Sequence, residues 1–298
     1  MSRAGVNAMQ NSAPEETLVS VYLPTKNRSA LVQRAANSVL TQSYRDIELL
    51  IVDDGSTDDT PRILDELAAD DPRVRVLRNE KSMGAPFSRN LAITASRGAW
   101  ITGIDDDDMF LPGRIEAFVD YWRILESSGA QFSCIYAQDL YDSGTGTSQS
   151  YKRGTMHWEE MFEYNVVGNQ IFSLTTRIKG AGMFDVQMPA WQDLDLFIRV
   201  LKQYGPARLL DAPLYLVSID DRPDRISKSK KEKILVAFER LLNKHPEIEN
   251  TRRQTLFLQI FGKLYGYNAS FKDVLRFLSF GWNFRNAKRL LGVVLGRS

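Results

Sequence analysis

The chain contains very little of the chemistry that cysteine and histidine supply. Cys134 is the one cysteine among 298 residues, and His157 and His245 are the two histidines. A lone cysteine excludes a disulfide within the chain and is typical of a reducing compartment, so we predict a cytoplasmic protein. Three such side chains also argue against a zinc site built from Cys and His.

Long apolar runs are absent as well. No stretch of about 18 consecutive apolar residues occurs, so we predict no membrane-spanning helix. Residues 1–17 lack an apolar signal core, and we expect them to form a disordered leader. The remaining composition, 43% apolar and 25% charged over the chain, is typical of a globular protein.

Short apolar runs alternate with helical patterns. The predicted strands are 18–23, 47–52, 74–77, 99–104, 132–136, 171–175 and 214–217. The predicted helices are 29–41 with Ser29 as N-cap, 60–69, 85–95, 114–127 and 191–202. We expect a lid or hairpin tip at 142–150. The alternation favours an α/β fold with a mainly parallel twisted sheet flanked by helices.

Three polar clusters follow the first, second and fourth strands, at 25–28, 53–56 and 105–108. Because ligands bind beyond the carboxyl ends of such strands, we expect the clusters to share one crevice. Asp105–Asp108 repel one another unless a cation or hydrogen-bond donors offset their charge. Asp105 and Asp107 could share Mg²⁺ or Mn²⁺, since hard oxygen ligands suit these ions. A solvated acidic turn is the alternative.

The second acidic cluster lies in IVDDGSTDDT, where Asp53 and Asp54 follow five apolar residues. Their carboxylates could accept hydrogen bonds from a base or a ribose. Neither GxxxxGK nor GxGxxG occurs, which excludes the common glycine-rich phosphate cradles. A diphosphate would then be bound by a metal together with Arg28 and Arg89.

Four segments carry a family resemblance: VSVYLPTKNR, IELLIVDDGSTDDT, MGAPFSRNLAITASRGAWITGIDDDDMFLP and WQDLDLFIRVLKQYG. In this order and spacing, the sequence resembles the inverting family 2 glycosyltransferases of GT-A type over residues 18–227. The resemblance implies a GT-A catalytic domain at 18–228, with a Rossmann-like nucleotide-binding half (18–114) and an acceptor half (115–228). A basic helical C-terminal region (229–298) would follow it.

The resemblance also implies a function and a set of site residues. The enzyme would move a sugar from a nucleotide-sugar, most often a UDP-sugar, to a hydroxyl of a glycan or lipid-linked acceptor. The implied nucleotide-sugar contacts are Pro24, Thr25, Asn27, Arg28, Asp53, Asp54, Gly84, Arg89, Asp105 and Asp106. In this set, Asp54 would contact the base and Asp106 the ribose. Asp107, with Asp105, would bind Mn²⁺ or Mg²⁺, Asp193 would be the catalytic base, and Trp191 and Gln192 would face the acceptor.

Three departures from the family pattern bear on the site. Lys26 replaces a usual aromatic residue. Gln192 replaces a usual Glu, which removes a charge and makes Asp193 easier to ionise. No histidine follows the last predicted strand, so either Asp220 or Asp221 is the third metal ligand or the protein supplies none. Trp191 and Trp158 could stack on sugars or pack in the core.

The C-terminal region differs electrostatically from the rest. Residues 251–298 carry nine Lys or Arg and one acid, a net charge of +8, against +1 for the whole chain. Residues 271–295 predict a basic amphipathic helix typical of an anionic membrane surface. Packing on the domain or on a second subunit is the alternative. No nucleic-acid motif accompanies the charge, so we predict no nucleic-acid partner. Peripheral attachment to the inner face of the cell membrane would suit a lipid-linked acceptor of surface polysaccharide assembly.

Two other functions fit parts of the sequence. Asp105-x-Asp107 superficially fits a haloacid-dehalogenase-like phosphatase, but that family carries the motif on the first strand and Thr or Val where Met109 stands. A non-catalytic nucleotide-sugar-binding module is the second alternative. The presence of both Asp107 and Asp193 argues against it.

Overall fold

The first half of the chain forms a parallel sheet with helices on its faces. A computed structural model describes residues 15–168, 170–219, 230–262, 265 and 267–294. Strands β1 (Glu15–Thr25), β2 (Ile47–Asp53), β3 (Val74–Arg78) and β4 (Gly98–Gly103) lie in the order β3-β2-β1-β4, and all pair in parallel. Helices α1 (Ser29–Leu40), α2 (Thr60–Asp70) and α3 (Ala85–Ala95) connect them.

The predicted boundaries in this half need two corrections. Strand β1 begins at Glu15, so the predicted disordered leader is wrong for residues 15–17, and residues 1–14 lie outside the described part of the chain. Ser29 is the first helical residue and not the N-cap, because Arg28 occupies the cap position and makes no side-chain cap bond.

The second half extends the same sheet with mixed pairing. Strand β6 (Cys134–Asp142) pairs in parallel with β10 (Ala207–Ser218), whereas β9 (Phe172–Leu174) runs antiparallel between β4 and β6. Strand β5 (Met109–Phe110) and β8 (Thr155–Met156) pair antiparallel with β10. The predicted hairpin is present, because β7 (Thr147–Gln149) folds back on β6. Helices α4 (Arg114–Ser127), α5 (Thr175–Gly180) and α6 (Gln192–Tyr204) and a 3₁₀ helix (Trp158–Phe162) complete this half.

The C-terminal region packs on the preceding α/β part of the chain. It contains α7 (Lys231–Lys244), α8 (Asn250–Gln259), α9 (Phe271–Ser279) and α10 (Phe284–Val294). Residues from all four helices join the hydrophobic core on one face of the sheet. Lys244 on α7 pairs with Asp195, a fully buried residue of α6, at 2.7 Å. The single helix predicted for 271–295 is wrong, since the chain breaks at Gly281, whose φ is +101°.

Candidate active site

Strands β1, β2 and β4 end at a common cavity of about 1450 Å³. Most of the predicted site residues lie on its wall: Pro24, Thr25, Arg28, Asp54, Gly84, Arg89, Asp105, Asp106, Asp107, Trp191, Gln192 and Asp193. The structure therefore brings together the polar clusters that the sequence predicts to converge.

Asn27 and Asp53 lie outside this wall. Asn27 has φ +52°, and its Oδ1 accepts a hydrogen bond from the Thr57 N–H at 2.7 Å. Asp53 is buried, and its Oδ1 accepts a hydrogen bond from the Ser56 N–H at 2.9 Å. Both side chains fasten the loop after β2, and their contact with a nucleotide-sugar stays a prediction.

Asp54 organises the loop that leads into α3. Its carboxylate accepts five hydrogen bonds, from Asn79 Nδ2, Ser82 Oγ, the Met83 N–H, the Gly84 N–H and Ser88 Oγ. Burial opposes ionisation, but these donors outweigh it and lower the pKa of Asp54. A contact with the base would have to share oxygens that the protein already uses.

Asp106 fixes two side chains of the loop after β1. Thr25 Oγ1 donates to Asp106 Oδ2 at 2.8 Å, and Arg28 Nη1 donates to Oδ1 at 2.7 Å. Burial raises the pKa of Asp106 to about 6, although the Arg28 charge opposes the rise. A ribose contact, predicted for Asp106, would be made beside these bonds.

Asp107 and Asp108 have different surroundings. Asp107 lies on the cavity wall, with Oδ2 at 3.8 Å from Arg28 Nη1. Asp108 is 2% exposed, and its Oδ1 accepts a hydrogen bond from the Ser218 N–H at 3.1 Å. Burial, with Asp105 and Asp107 nearby, raises the pKa of Asp108 well above its usual range. Asp108 therefore joins the acidic loop to the end of β10, a contact that the sequence does not predict.

Arg89 connects the acidic loop to α6. Its Nη2 donates to Asp105 Oδ1 at 2.8 Å, and its Nη1 lies 3.6 Å from Asp193 Oδ1. Burial alone would lower the pKa of Arg89, but Asp193 and Asp105 outweigh burial and raise it, so the guanidinium stays charged. The Arg89 guanidinium thus lies between Asp105, a predicted metal ligand, and Asp193, the predicted base, and fixes their relative positions.

Asp193, the predicted base, lies on the cavity wall with one carboxylate oxygen shielded from water. Its Oδ1 is shielded from water and has no hydrogen-bond partner among the described residues. Burial raises the pKa of Asp193 to about 6, with Arg89 opposing and Asp105 adding to the rise. Asp193 is the second residue of α6, and Trp191 occupies the cap position with φ +56° and no side-chain cap bond. Asp193 is therefore a residue of the first helical turn and not the N-cap of α6.

The chemistry of Asp105 and Asp107 fits a hard divalent cation. Both residues line the cavity, and carboxylate oxygens are ligands that Mg²⁺ and Mn²⁺ take in proteins. In the described ranges no group of three or more His, Cys, Asp or Glu is arranged to hold a metal. Asp220 and Asp221, the candidate third ligands, lie outside these ranges. Two carboxylates would then leave the remaining positions to phosphate and water oxygens.

Sequence reasoning missed Gln170, which lies just before β9. Gln170 Nε2 donates to Asp105 Oδ1 at 3.3 Å, and Tyr22 Oη donates to Gln170 Oε1 at 3.0 Å. A Cβ atom at Gly103 would come within 2.2 Å of Gln170 Oε1 and of the Tyr22 ring. An isolated glycine in a strand often marks a place where another group approaches the backbone closely. Gly103 was therefore the sequence signal that a side chain packs against β4 at this point.

The two tryptophans considered for sugar stacking differ. Trp191 is on the cavity wall. Trp158 packs against the Phe162 and His245 rings, with centroids 6.3 and 5.9 Å away, and is absent from that wall. Core packing is thus the role that the structure gives Trp158.

The fold is a GT-A fold. The structure of S. aureus TarS 1–349 in complex with UDP-GlcNAc is similar with a TM-score of 0.64 and 17% identity, covering 92% of this chain and 79% of TarS 1–349. The mannosyltransferase PcManGT from Pyrobaculum calidifontis, determined with GDP-Man and Mn²⁺, has a TM-score of 0.55 at 14% identity, covering 96% of this chain and 88% of PcManGT.

The sequence comparisons identify the family. The family model "Glycosyl transferase family 2" matches residues 20–188. The putative colanic acid biosynthesis glycosyl transferase WcaA of Escherichia coli K12 is 30% identical over 94% of this chain and 98% of its own length. The Escherichia coli chondroitin synthase is 40% identical over 40% of this chain and 17% of its own length. The chain belongs to glycosyltransferase family 2 and is a glycosyltransferase, so the phosphatase alternative is wrong.

Proposed function

We propose that the protein transfers a sugar from a UDP-sugar to a hydroxyl of a glycan or lipid-linked acceptor, with inversion and with Mn²⁺ or Mg²⁺. The observation that carries the proposal is Arg89, which bridges Asp105 and Asp193 within one cavity. Among the relatives, WcaA is named for colanic acid biosynthesis, and a Campylobacter jejuni relative, 32% identical over 34% of this chain, is named for a PP-undecaprenol acceptor. We therefore place the reaction in surface polysaccharide assembly.

On the donor side, the end of β1 and the loops after β1 and β3 would hold the nucleotide. Pro24, Thr25 and Gly84 line the cavity there, and Asp106 keeps Thr25 and Arg28 in place. Asp107 and Asp105 would hold the cation, which as a Lewis acid offsets the charge that develops on the departing diphosphate. Arg28 and Arg89 add fixed positive charge beside it.

On the acceptor side, Asp193 would remove the proton of the attacking hydroxyl. An inverting transfer needs one such base, because the hydroxyl attacks the anomeric carbon from the face opposite the diphosphate. A pKa of about 6 leaves Asp193 ionised at neutral pH, yet makes it a stronger base than an ordinary aspartate. Trp191 and Gln192, beside it, would contact the acceptor.

A thermal-shift panel with UDP-, GDP- and dTDP-sugars, each with and without Mn²⁺, tests the donor assignment. We expect UDP-sugars to raise the melting temperature and the rise to require Mn²⁺ or Mg²⁺. A rise with GDP-sugars alone would overturn the nucleotide assignment, and no rise with any nucleotide-sugar would overturn the proposed function.

We also propose that the C-terminal helices rest on an anionic membrane at the cytoplasmic face. No helix in the described ranges is long and apolar enough to cross a bilayer. Helices α9 and α10 bury one side, yet their other side and the turn between them expose Phe271, Trp282 and Phe284 by 76%, 75% and 79%. Exposed Lys and Arg of the same helices give this surface the charge that attracts anionic lipids.

Vesicle flotation with phosphatidylglycerol-containing and pure phosphatidylcholine vesicles tests this surface. The double substitution Trp282→Ser and Phe284→Ser should release the protein from anionic vesicles. Ile124→Ser is the matched control, because Ile124 is 60% exposed on α4. Truncation at Thr251 is unsuitable, since Leu256, Phe257 and Leu258 of α8 are core residues. Unchanged binding of the double variant would contradict the proposal.

A further inference from the structure

Part of the active-site cavity is built by the C-terminal region, beyond residue 188 where the family match ends. The wall that contains Asp193 also contains Gln259 of α8, Arg289 of α10, and Tyr265 from the segment between α8 and α9. Gln259 Nε2 donates to the main-chain oxygen of Glu163 at 2.8 Å, which anchors the segment that leads to Tyr164. The C-terminal helices therefore shape the cavity and hold its neighbouring loop.

Three aromatic side chains lie on this wall: Trp191 is fixed by a hydrogen bond, and Tyr164 and Tyr151 are exposed to solvent. Trp191 adopts a left-handed conformation that L-residues rarely take, and its indole N–H donates to Tyr265 Oη at 2.8 Å. Tyr164 and Tyr151 are 68% and 92% exposed although they line the cavity. Exposed aromatic rings at a cavity offer flat apolar surfaces with a polar edge, which suit the faces of a sugar ring.

The charges around these rings favour an anion. Three acidic side chains near Tyr151 and Tyr164 have basic partners within the protein: Asp139 Oδ2 lies 2.7 Å from Lys152 Nζ, Glu160 Oε1 lies 3.9 Å from Arg153 Nη1, and Glu163 Oε1 lies 3.6 Å from Arg252 Nε. Arg289 is exposed on the wall and has no carboxylate partner in the part of the chain that the structure describes. A planar guanidinium in this position is suited to binding phosphate or carboxylate through two hydrogen bonds.

We infer that the C-terminal region forms an acceptor subsite for an anionic saccharide, in which Trp191 and Tyr164 stack on sugar rings and Arg289 binds a phosphate or carboxylate of the acceptor. This inference rests on the proposed transfer reaction and specifies its acceptor. Tyr265 is a positioning residue, because it acts through the Trp191 indole.

Binding to a glycan array, with UDP and Mn²⁺ present to fill the donor side, tests the subsite. The array contains neutral glycans, their uronic-acid counterparts, and the same sugars linked through phosphate or diphosphate to a short lipid. We expect the wild type to prefer charged glycans over their neutral counterparts. Arg289→Gln should weaken that binding about ten- to a hundredfold, the effect of one charge-assisted contact.

Arg285→Gln is the matched control, because Arg285 is exposed on the same helix and absent from the cavity wall. Arg289→Lys should bind with intermediate affinity, since it keeps the charge but loses the planar fork. Tyr164→Ala should weaken binding to charged and neutral glycans alike. Tyr265→Phe should also weaken binding to both, and should leave the ratio of charged to neutral binding unchanged.

Preference for uronic acids or for phosphate-linked glycans would identify the source of the anion. Equal binding by the Arg289→Gln and Arg285→Gln variants, or no preference of the wild type for any charged glycan, would overturn the inference. The thermal shift with UDP-sugar separates the two hypotheses. If the shift persists while the glycan preference is absent, the subsite alone is wrong. If charged glycans bind but no nucleotide-sugar does, the proposed function is wrong.

Discussion

The assignment of Asp193 as the base makes a quantitative prediction for Asp193→Asn. Removing a positioned general base costs about a hundredfold to ten-thousandfold in rate. Because burial raises the pKa of Asp193 to about 6, the wild-type rate should be level above that pH. Below it the carboxyl is protonated and cannot accept the acceptor's proton, so the rate should fall about tenfold per pH unit. The asparagine variant should be slow and should lack this acidic limb.

The assay is the initial rate of UDP-sugar turnover between pH 4.5 and 8.5, with saturating Mn²⁺. The asparagine variant should keep the UDP-induced thermal shift, because Asp193 does not touch the nucleotide in the proposed arrangement. Asp120→Asn is the control, since Asp120 is an exposed carboxylate on α4. An asparagine variant within about threefold of the wild-type rate would refute the assignment.

Three further substitutions test other parts of the account. Asp107→Ala should raise the Mn²⁺ concentration that gives half-maximal turnover by at least about tenfold. An unchanged Mn²⁺ titration would contradict the metal assignment. Lys244→Met leaves the fully buried Asp195 with one basic partner fewer and should cost about 1–3 kcal/mol in urea unfolding. Lys202→Met, which breaks the exposed pair with Glu247, should cost about 1 kcal/mol or less. Equal losses in the Lys244 and Lys202 variants would argue against a stabilising bridge between Lys244 and Asp195. Gly103→Ala places a Cβ against two side chains, so it should destabilise by about 1–3 kcal/mol and slow turnover; wild-type stability and rate would show that the contact is relaxed.

The first half of the fold was predictable because its signals are local. Strand β2 is buried along its whole length, so the apolar run of the sequence marks it directly. Helix α3 begins after Gly84, whose φ is +88°, with Pro86 in its first turn, and its predicted bounds agree with the structure. In such βα units, each strand and the following helix lie close in sequence, so local patterns suffice.

The second half was less predictable because its order depends on long-range pairing. Strand β10 spans Ala207–Ser218, but the prediction covered only its last third, since Asp211 and Pro213 interrupt the apolar pattern. The register of β10 shifts on both sides of Pro213, which is where a proline can be accommodated in a strand. The three residues of β9 could not be placed between β4 and β6 from local sequence.

The same distinction applies to the site. The acidic residues at the ends of β2 and β4 were found because charge follows an apolar run. Gln170, Tyr265 and Arg289 occupy irregular or C-terminal segments, and their types are common on any surface. Their roles depend on contacts with residues far away in the chain, which single-sequence patterns do not report.

Inverting transfer from a nucleotide-sugar is the central claim, and the stereochemistry of slow donor hydrolysis tests it most directly. Proton NMR of a UDP-α-sugar with the protein and Mg²⁺, recorded before the free sugar mutarotates, identifies the anomer first released. The account predicts the β-anomer, with release abolished by Asp193→Asn, because a water activated by Asp193 attacks opposite the diphosphate. First appearance of the α-anomer would contradict it.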